Sequence, residues 1–449
     1  MGLAGVRADA PFVLAFEDVP AATPLLPLVR AERAELAAVL GAEVRFGTAA
    51  DPWEQRWVAR VDPAAPVARL EWDGRTRELT SVLPTPGEFG VGLHLLHSLA
   101  HAADDVVEHR PCRTSAEAFD RIRDEVANVY PSFALRGLDW EAITARHAHV
   151  RDLTGEAFER GAQAWVAELG DAHTHLFRSD VARWHPPYLA RMADNGARLL
   201  HVPADTAAAR AGVGPGWVVD VEDPADWLRR TGASPQHRDM IAARRFLAMA
   251  APARRFTARG PGGRTVAWTE ERAARAALER TPDGFRLHTF TRAVVAEIDA
   301  VLAELRGRPR VTIDLRGNVG GDVLAAMELR TRFLRGRTHL GAVRFSDGRG
   351  GLAGPVALHA DPHPEPWAGE VRILIDAMTY SASEDFVLGL QGLDHVRVEG
   401  EPSGGGSGRP HVRRVTDTLD LSVSTALTFD RTGRCIEYHG LPVDGPASG

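Results

Sequence analysis

The chain is predicted to be a multidomain α/β protein, on three observations. Its 449 residues exceed what one hydrophobic core usually serves. From residue 284 onward, strand-length apolar runs alternate with helix-length amphipathic runs. Ahead of them lie a helical stretch and a β-rich stretch, so the chain divides into residues 1–110, 111–185, 186–275 and 276–449.

In residues 1–110, "RAERAELAAVLG" reads as a helix ending at Gly41, and "ARLEWDGRTREL" as a hairpin turning at Asp73-Gly74. No role follows for this unit. "LHLLHSLAH" sets His94, His97 and His101 on one helical face, a spacing open to a metal or to an ordinary packed face.

Residues 113–170 are predicted helical. "TSAEAFDRIRDEV" opens with Thr114 as a cap and Glu117 three residues on, a capping box. "TGEAFERGAQAWVAELG" follows and stops at Gly170. Residues 190–270 read as a small, mostly β module with glycine turns such as "AGVGPGW" and one short helix. "TFTRAVVAEIDAVLAELRG" places Val294, Ile298, Val301, Leu302 and Leu305 on one face. The strand "RVTIDLRG", the turn "NVGGD" and the helix "VLAAMELRTRFL" come next. "LIDAMTYSASEDFVLGL" repeats strand, turn and helix. The strand "VRVEG" and the glycine-rich "PSGGGSGRP" then follow, the latter read as an active-site loop.

Composition narrows the function. Apolar content of 44%, charged content of 25% and a net charge of -7 fit a soluble globular protein and argue against a generally basic, nucleic-acid-coating surface. All basic residues are arginine, which removes every lysine base and Schiff base. Cys112 and Cys435 imply neither a disulfide framework nor a thiolate zinc site. No signal peptide is recognised and no run approaches the roughly 18 apolar residues of a membrane span, so the cytoplasm is the expected location.

Ser381 sits where a helix should begin. There the first amides and the positive end of the helix dipole favour a developing oxyanion. The same position suits a plain N-cap, with Glu384 completing a capping box. The "DLRGNVGGD" turn exposes backbone amides able to donate to a negative charge, or serves only as a tight turn needing positive φ. It lacks the lysine of a nucleotide-binding loop.

"VTIDLRGNVGG", "ILIDAMTYSASEDF" and "VRVEGEPSGGGSG", in that order, resemble the C-terminal processing (tail-specific) serine protease family, in the branch typified by the tricorn protease core. "FDRIRDEVANVYPSFALRGLDWEAI" resembles the helical segment preceding the family's catalytic region, and "AELGDAHTHLF" its L-G-x-x-H segment. Residues 190–270 resemble its PDZ-like module. The resemblance spans residues 113 to 445.

It implies a ClpP/crotonase-like catalytic core, a helical N-terminal subdomain carrying the base, and a degenerate PDZ-like β module. Ser381 becomes the nucleophile, His173 the general base, and Glu437 the acid orienting that base. His175, the second histidine of "HTH", is the alternative base. Ala382 and a glycine of the turn, Gly320 before Gly321, become the oxyanion donors. Another branch uses a Ser–Lys dyad; Gly406 stands at its lysine position, and the absence of lysine closes that branch. The sequence departs from the branch at Ala172, where a hydroxyl would help relay base to acid, and at "RGNVGG" in place of a triple glycine.

The expected activity is serine-type peptidase action through an acyl-enzyme, with no metal and no cofactor. The expected partner is a peptide or the C-terminal region of an unfolded protein. Neither nucleic acid nor membrane is expected, and homo-oligomerisation is left open. Two alternatives stand beside it: a non-catalytic ligand-binding module of the same fold, like the retinoid carrier of the retina, or a biosynthetic peptide hydrolase or acyl transferase.

Overall fold

Strands that are apolar on both faces must be covered on both sides, and the C-terminal region builds such a sheet. The computed structural model describes residues 12–15, 43–46, 55–61, 69–73, 78–83, 111–346, 350–352, 355–406 and 408–447. The central sheet runs in the order Leu278–Thr281, Gly284–Leu287, Arg310–Asp314, Glu370–Ile375, Val396–Gly400. Its first pair is an antiparallel hairpin and the remaining pairs are parallel. Helices Arg292–Glu304, Val323–Arg330 and Ala382–Leu390 make the crossovers. Phe290, Ile298, Ile313, Phe333, Ile373 and Phe386 belong to its buried core.

The predicted helical face at 294–305 holds. Thr291 caps the helix by accepting the Val294 amide (3.3 Å), and Val294, Ile298, Val301 and Leu305 are buried, with Leu302 packed at the edge. A second, three-stranded sheet is made of Val356–Ala360, Thr338–Phe345 and Ala426–Phe429, its first two strands falling between Arg310–Asp314 and Glu370–Ile375 in sequence.

The helical region forms its own core. Thr114 caps Ser115–Val129 by accepting the Glu117 amide at 3.2 Å, as the capping pattern predicts. Trp165 is stacked between Phe119 (4.3 Å) and Trp140 (4.9 Å). Leu176, Leu419, Leu421 and Val423 complete that cluster, although Leu419 to Val423 come from the far end of the chain. The reason is a strand pairing: His175–Arg178 runs antiparallel to Leu419–Ser422, and His411–Arg414 covers the other edge of that strand. This pairing ties the segment carrying the "HTH" histidines to the α/β unit.

Between them lies a five-stranded antiparallel sheet in the order Thr265–Glu271, Ala253–Arg259, Val218–Val219, Gly196–His201, Leu189–Ala193. One short helix was expected here; three are present, Ala207–Arg210, Pro224–Arg229 and the 13-residue Pro235–Leu247. The last escapes a periodicity reading because it is buried on several sides. His237, Met240, Ala242, Ala243 and Leu247 are all covered, and its polar residues interrupt any apolar stripe.

In the N-terminal region, Arg69–Asp73 pairs antiparallel with Glu78–Leu83, the predicted hairpin, at the edge of a five-stranded sheet. The helix expected before Gly41 and the residues His94, His97 and His101 lie outside the described residues. Among the described residues no helix is long and apolar enough to cross a membrane.

Candidate active site

Two turns at the C-terminal ends of neighbouring parallel strands are laced together. Asp376 ends Glu370–Ile375, and its Oδ1 accepts the amides of Gly317 (3.0 Å), Met378 (2.9 Å) and Thr379 (3.1 Å). The Thr379 hydroxyl donates to the Leu315 carbonyl at 3.0 Å. The buried Asn318 carbonyl accepts from the Tyr380 amide (3.1 Å) and the Ser383 hydroxyl (3.2 Å). Residues 315–318 and 376–383 are therefore one rigid unit, and Ser381 is held on it.

Ser381 adopts φ 57 and ψ -124. This left-handed backbone is costly for a residue bearing a Cβ and persists only where its surroundings impose it. A strained residue between strand and helix lifts its side chain clear of both. Ser381 and Glu384 form the capping box that the sequence pattern predicts. The Glu384 carboxylate accepts the Ser381 amide at 3.1 Å. The same serine therefore both opens the helix and presents its oxygen beyond it.

That oxygen meets His173. Ser381 Oγ and His173 Nε2 are 3.0 Å apart. Hydrogen-bond reach with Nε2 as acceptor is the geometry of a hydroxyl activated by a base. Burial holds the His173 imidazole below its ordinary range, against the opposing charges of Asp171 and Asp385, so the neutral form is favoured. His175 instead directs Nδ1 to the His173 carbonyl (3.2 Å), and burial pushes its pKa down to about 3.

Asp171 organises the base from behind. Its Oδ1 accepts the His173 amide at 2.9 Å, and its Oδ2 accepts the hydroxyls of Thr174 and Ser424, both at 2.6 Å. The Ser424 amide donates back to the Thr174 hydroxyl at 3.0 Å. His173 Nδ1 is buried and has no hydrogen-bond partner among the described residues. Glu437 is buried too, at 1% exposure, and its charge raises the Tyr130 and Tyr380 hydroxyls after burial and Asp171 have done so. The structure thus brings Ser381 and His173 into contact and leaves Glu437 outside hydrogen-bond contact with the base.

The glycine turn is placed as predicted, with one change. An ideal Cβ at Gly320 would lie 2.9 Å from Ser381 Cβ and 3.0 Å from the Ala382 nitrogen, so only glycine fits there. The Gly320 amide, however, donates to Asn318 Oδ1 at 2.9 Å. Gly321 forms a parallel bridge with Phe290 whose two hydrogen bonds are made by Gly320 and Asp322. The amide of Gly321 therefore points to the opposite side. The Gly320 amide is thus engaged within its own turn, whereas that of Gly321 takes no part in the bridge to Phe290. Ala382 opens its helix, so its amide has no intrahelical acceptor.

The glycine-rich loop closes over the site through Glu384. That buried carboxylate accepts the Gly405 and Gly406 amides, each at 2.8 Å, and the Ser403 hydroxyl. Burial raises it to about 7, against the pull of those donors. Tyr380 fills the space beneath. Its ring stacks on His237 (4.5 Å) and lies 4.6 Å from the His173 ring. Asp171, Ser424, Tyr380 and His237 do not follow from the sequence, whereas Glu384 does, as the partner of Ser381 in the capping box. Of those four, only Asp171 had a local signal, since an aspartate accepting the amide two residues on is an Asx turn.

A cavity of about 840 Å³ opens over Ser381 and His173, with Ala172, Gly321, Trp227, Tyr380 and several arginines among its lining residues.

Residues 285–446 match the model of peptidase family S41. The photosystem II D1 C-terminal processing protease is similar in fold, 16% identical over 75% of this chain and 94% of that chain, with a TM-score of 0.52. Mature CPAF complexed with lactacystin is 14% identical over 75% of this chain and 94% of that chain, with a TM-score of 0.56. Mature CPAF is 13% identical over 75% and 92%, with a TM-score of 0.56. None of the curated proteins matches the chain.

Proposed function

With residues 285–446 a domain of peptidase family S41, and the chain a serine-type peptidase on that ground, we propose that it cuts peptide bonds through an acyl-enzyme on Ser381. His173 Nε2 takes the hydroxyl proton as Oγ attacks the peptide carbonyl carbon. The tetrahedral oxyanion is held by the amides of Ala382 and Gly321. His173 then gives the proton to the leaving amine, and water, deprotonated by the same nitrogen, releases the acid. The 3.0 Å contact between Ser381 Oγ and His173 Nε2 carries this reading.

Asp171 and Glu437 are the two candidates for holding the imidazole. Asp171 has the better claim, since it already binds the His173 backbone and Ser424. The central sheet would correspond to a ClpP/crotonase-like core, and the five-stranded sheet to a PDZ-like module. In that module Leu189–Ala193 is an edge strand with Pro235–Leu247 beside it, a setting in which a peptide's C-terminal stretch could add as a further strand.

A fluorophosphonate probe tests the proposal. Mass spectrometry should find one adduct, on Ser381, with none in Ser381→Ala or His173→Ala. An unlabelled wild-type protein, or one in which Ser381→Ala leaves peptide turnover intact, would overturn it and favour a binding module.

A further inference from the structure

The cavity over Ser381 carries more positive charge than its own carboxylates balance. Arg230 is held by Asp226 at 2.7 Å, Arg409 faces Asp385 at 3.4 Å, and Asp322 faces Arg292 at 3.6 Å. Three further arginines, Arg183, Arg244 and Arg245, line the same cavity. Among the described residues none of the three has a carboxylate within ion-pair distance. Arg245 reaches only the Ala172 carbonyl, at 3.4 Å, one residue from the base.

An uncompensated guanidinium is costly to hold away from water. Burial lowers Arg244 and Arg245 to about 10, which marks how poorly their charge is solvated. The two stand in the last turn of Pro235–Leu247, where the helix dipole offers about half a negative charge, too little for both. The neighbouring rings add nothing, since burial and these arginines keep His185 and His237 neutral, at about 4 each. Arg244 and Arg245 are half-buried and Arg183 is exposed, so water meets part of their charge; no carboxylate of the described residues meets the rest, and the cavity they line is where a substrate lies.

We propose that Arg183, Arg244 and Arg245 form a carboxylate-binding subsite that selects acidic peptides for cleavage at Ser381. A planar guanidinium pairs a carboxylate through two parallel hydrogen bonds. Three of them exceed what one carboxylate saturates, so the substrate brings more than one, from Asp or Glu side chains or from these and a chain terminus. This inference deepens the peptidase reading and rests on it.

The test pairs peptides that differ only in charge: Glu against Gln at internal positions, and a free C-terminus against its amide. On wild-type protein kcat/KM should favour the acidic member by about tenfold or more, through KM, and the ratio should shrink as salt is raised. Arg244→Gln and Arg183→Gln should each reduce that ratio within the variant. A preference for Glu over Gln, with or without one for the free C-terminus, supports the subsite, and a preference for the free C-terminus alone overturns it. Equal kcat/KM for every pair, in a protein whose Ser381 takes the fluorophosphonate, overturns the subsite and leaves the peptidase standing. If Ser381 is not labelled, the peptidase reading fails instead. The subsite is then judged by calorimetric affinity of Ser381→Ala for the same peptides, where equal affinities overturn it.

Discussion

Tyr380 occupies the place of a side chain at Gly406: an ideal Cβ there would lie 1.9 Å from Tyr380 Cζ. The position that carries a lysine base in one branch of the family is thus filled by a tyrosine ring from the nucleophile turn. Gly406→Lys should fail to create a Ser–Lys dyad and should lower Tm by several degrees or prevent folding. Gly406→Ala combined with Tyr380→Gly should recover Tm relative to Gly406→Ala alone. An active, stable Gly406→Lys protein would contradict this packing.

Asp171 raises the His173 pKa through its charge and holds the His173 backbone through its amide. Asp171→Asn should cut kcat/KM by about a hundredfold or more and move the acid limb of the pH profile to lower pH. Glu437→Gln should have the smaller effect of the two. A merely structural role for Asp171 would lower activity without moving the limb. The reverse order of effects would make Glu437 the orienting acid.

Because burial holds His173 below the ordinary imidazole value near 6.5, the wild-type acid limb in kcat/KM should fall below pH 6.5. The base works as neutral imidazole, so activity is lost as pH drops through that lowered value and is retained above it. A limb at pH 7 or higher would show that the charges of Asp171 and Asp385 outweigh burial.

Asn318 engages the Gly320 amide at 2.9 Å, away from the oxyanion site we propose, and ties the turn to the Leu287 carbonyl at 2.9 Å. Asn318→Ala should lower kcat by about tenfold or more with little change in KM. A change confined to KM would assign it to substrate binding.

Stability should fall in mild acid. His175 sits at about 3, and His185 and His237 at about 4, all depressed chiefly by burial. Their contribution is complete above the unfolded value near 6.5 and is lost as pH falls toward 4. Glu384, raised to about 7, acts oppositely: its share is present below its unfolded value near 4.3 and is lost as pH rises through 7. Three histidines outweigh one glutamate, so Tm should climb between pH 4 and 6.5. His237→Gln should flatten that slope. A Tm independent of pH over that window would count against this balance.

The local sequence by itself settled the alternation of strand and helix after residue 284, the glycine turn, the helix start at Ser381 and the exclusion of a lysine base. The last rests on the composition of the whole chain, and the others depend on spacing within a dozen residues, where propensity and periodicity act. The meeting of His173 with Ser381 spans 208 positions and is decided by packing. His175–Arg178 must first pair with Leu419–Ser422, and Leu176 must enter the core shared with Leu419 and Leu421. The engagement of the Gly320 amide by Asn318, the gathering of Thr174 and Ser424 around Asp171, and the arginines left without a carboxylate were decided the same way. An amide's direction and a charge's solvation depend on what the rest of the chain brings alongside, and no run of neighbouring residues contains that information.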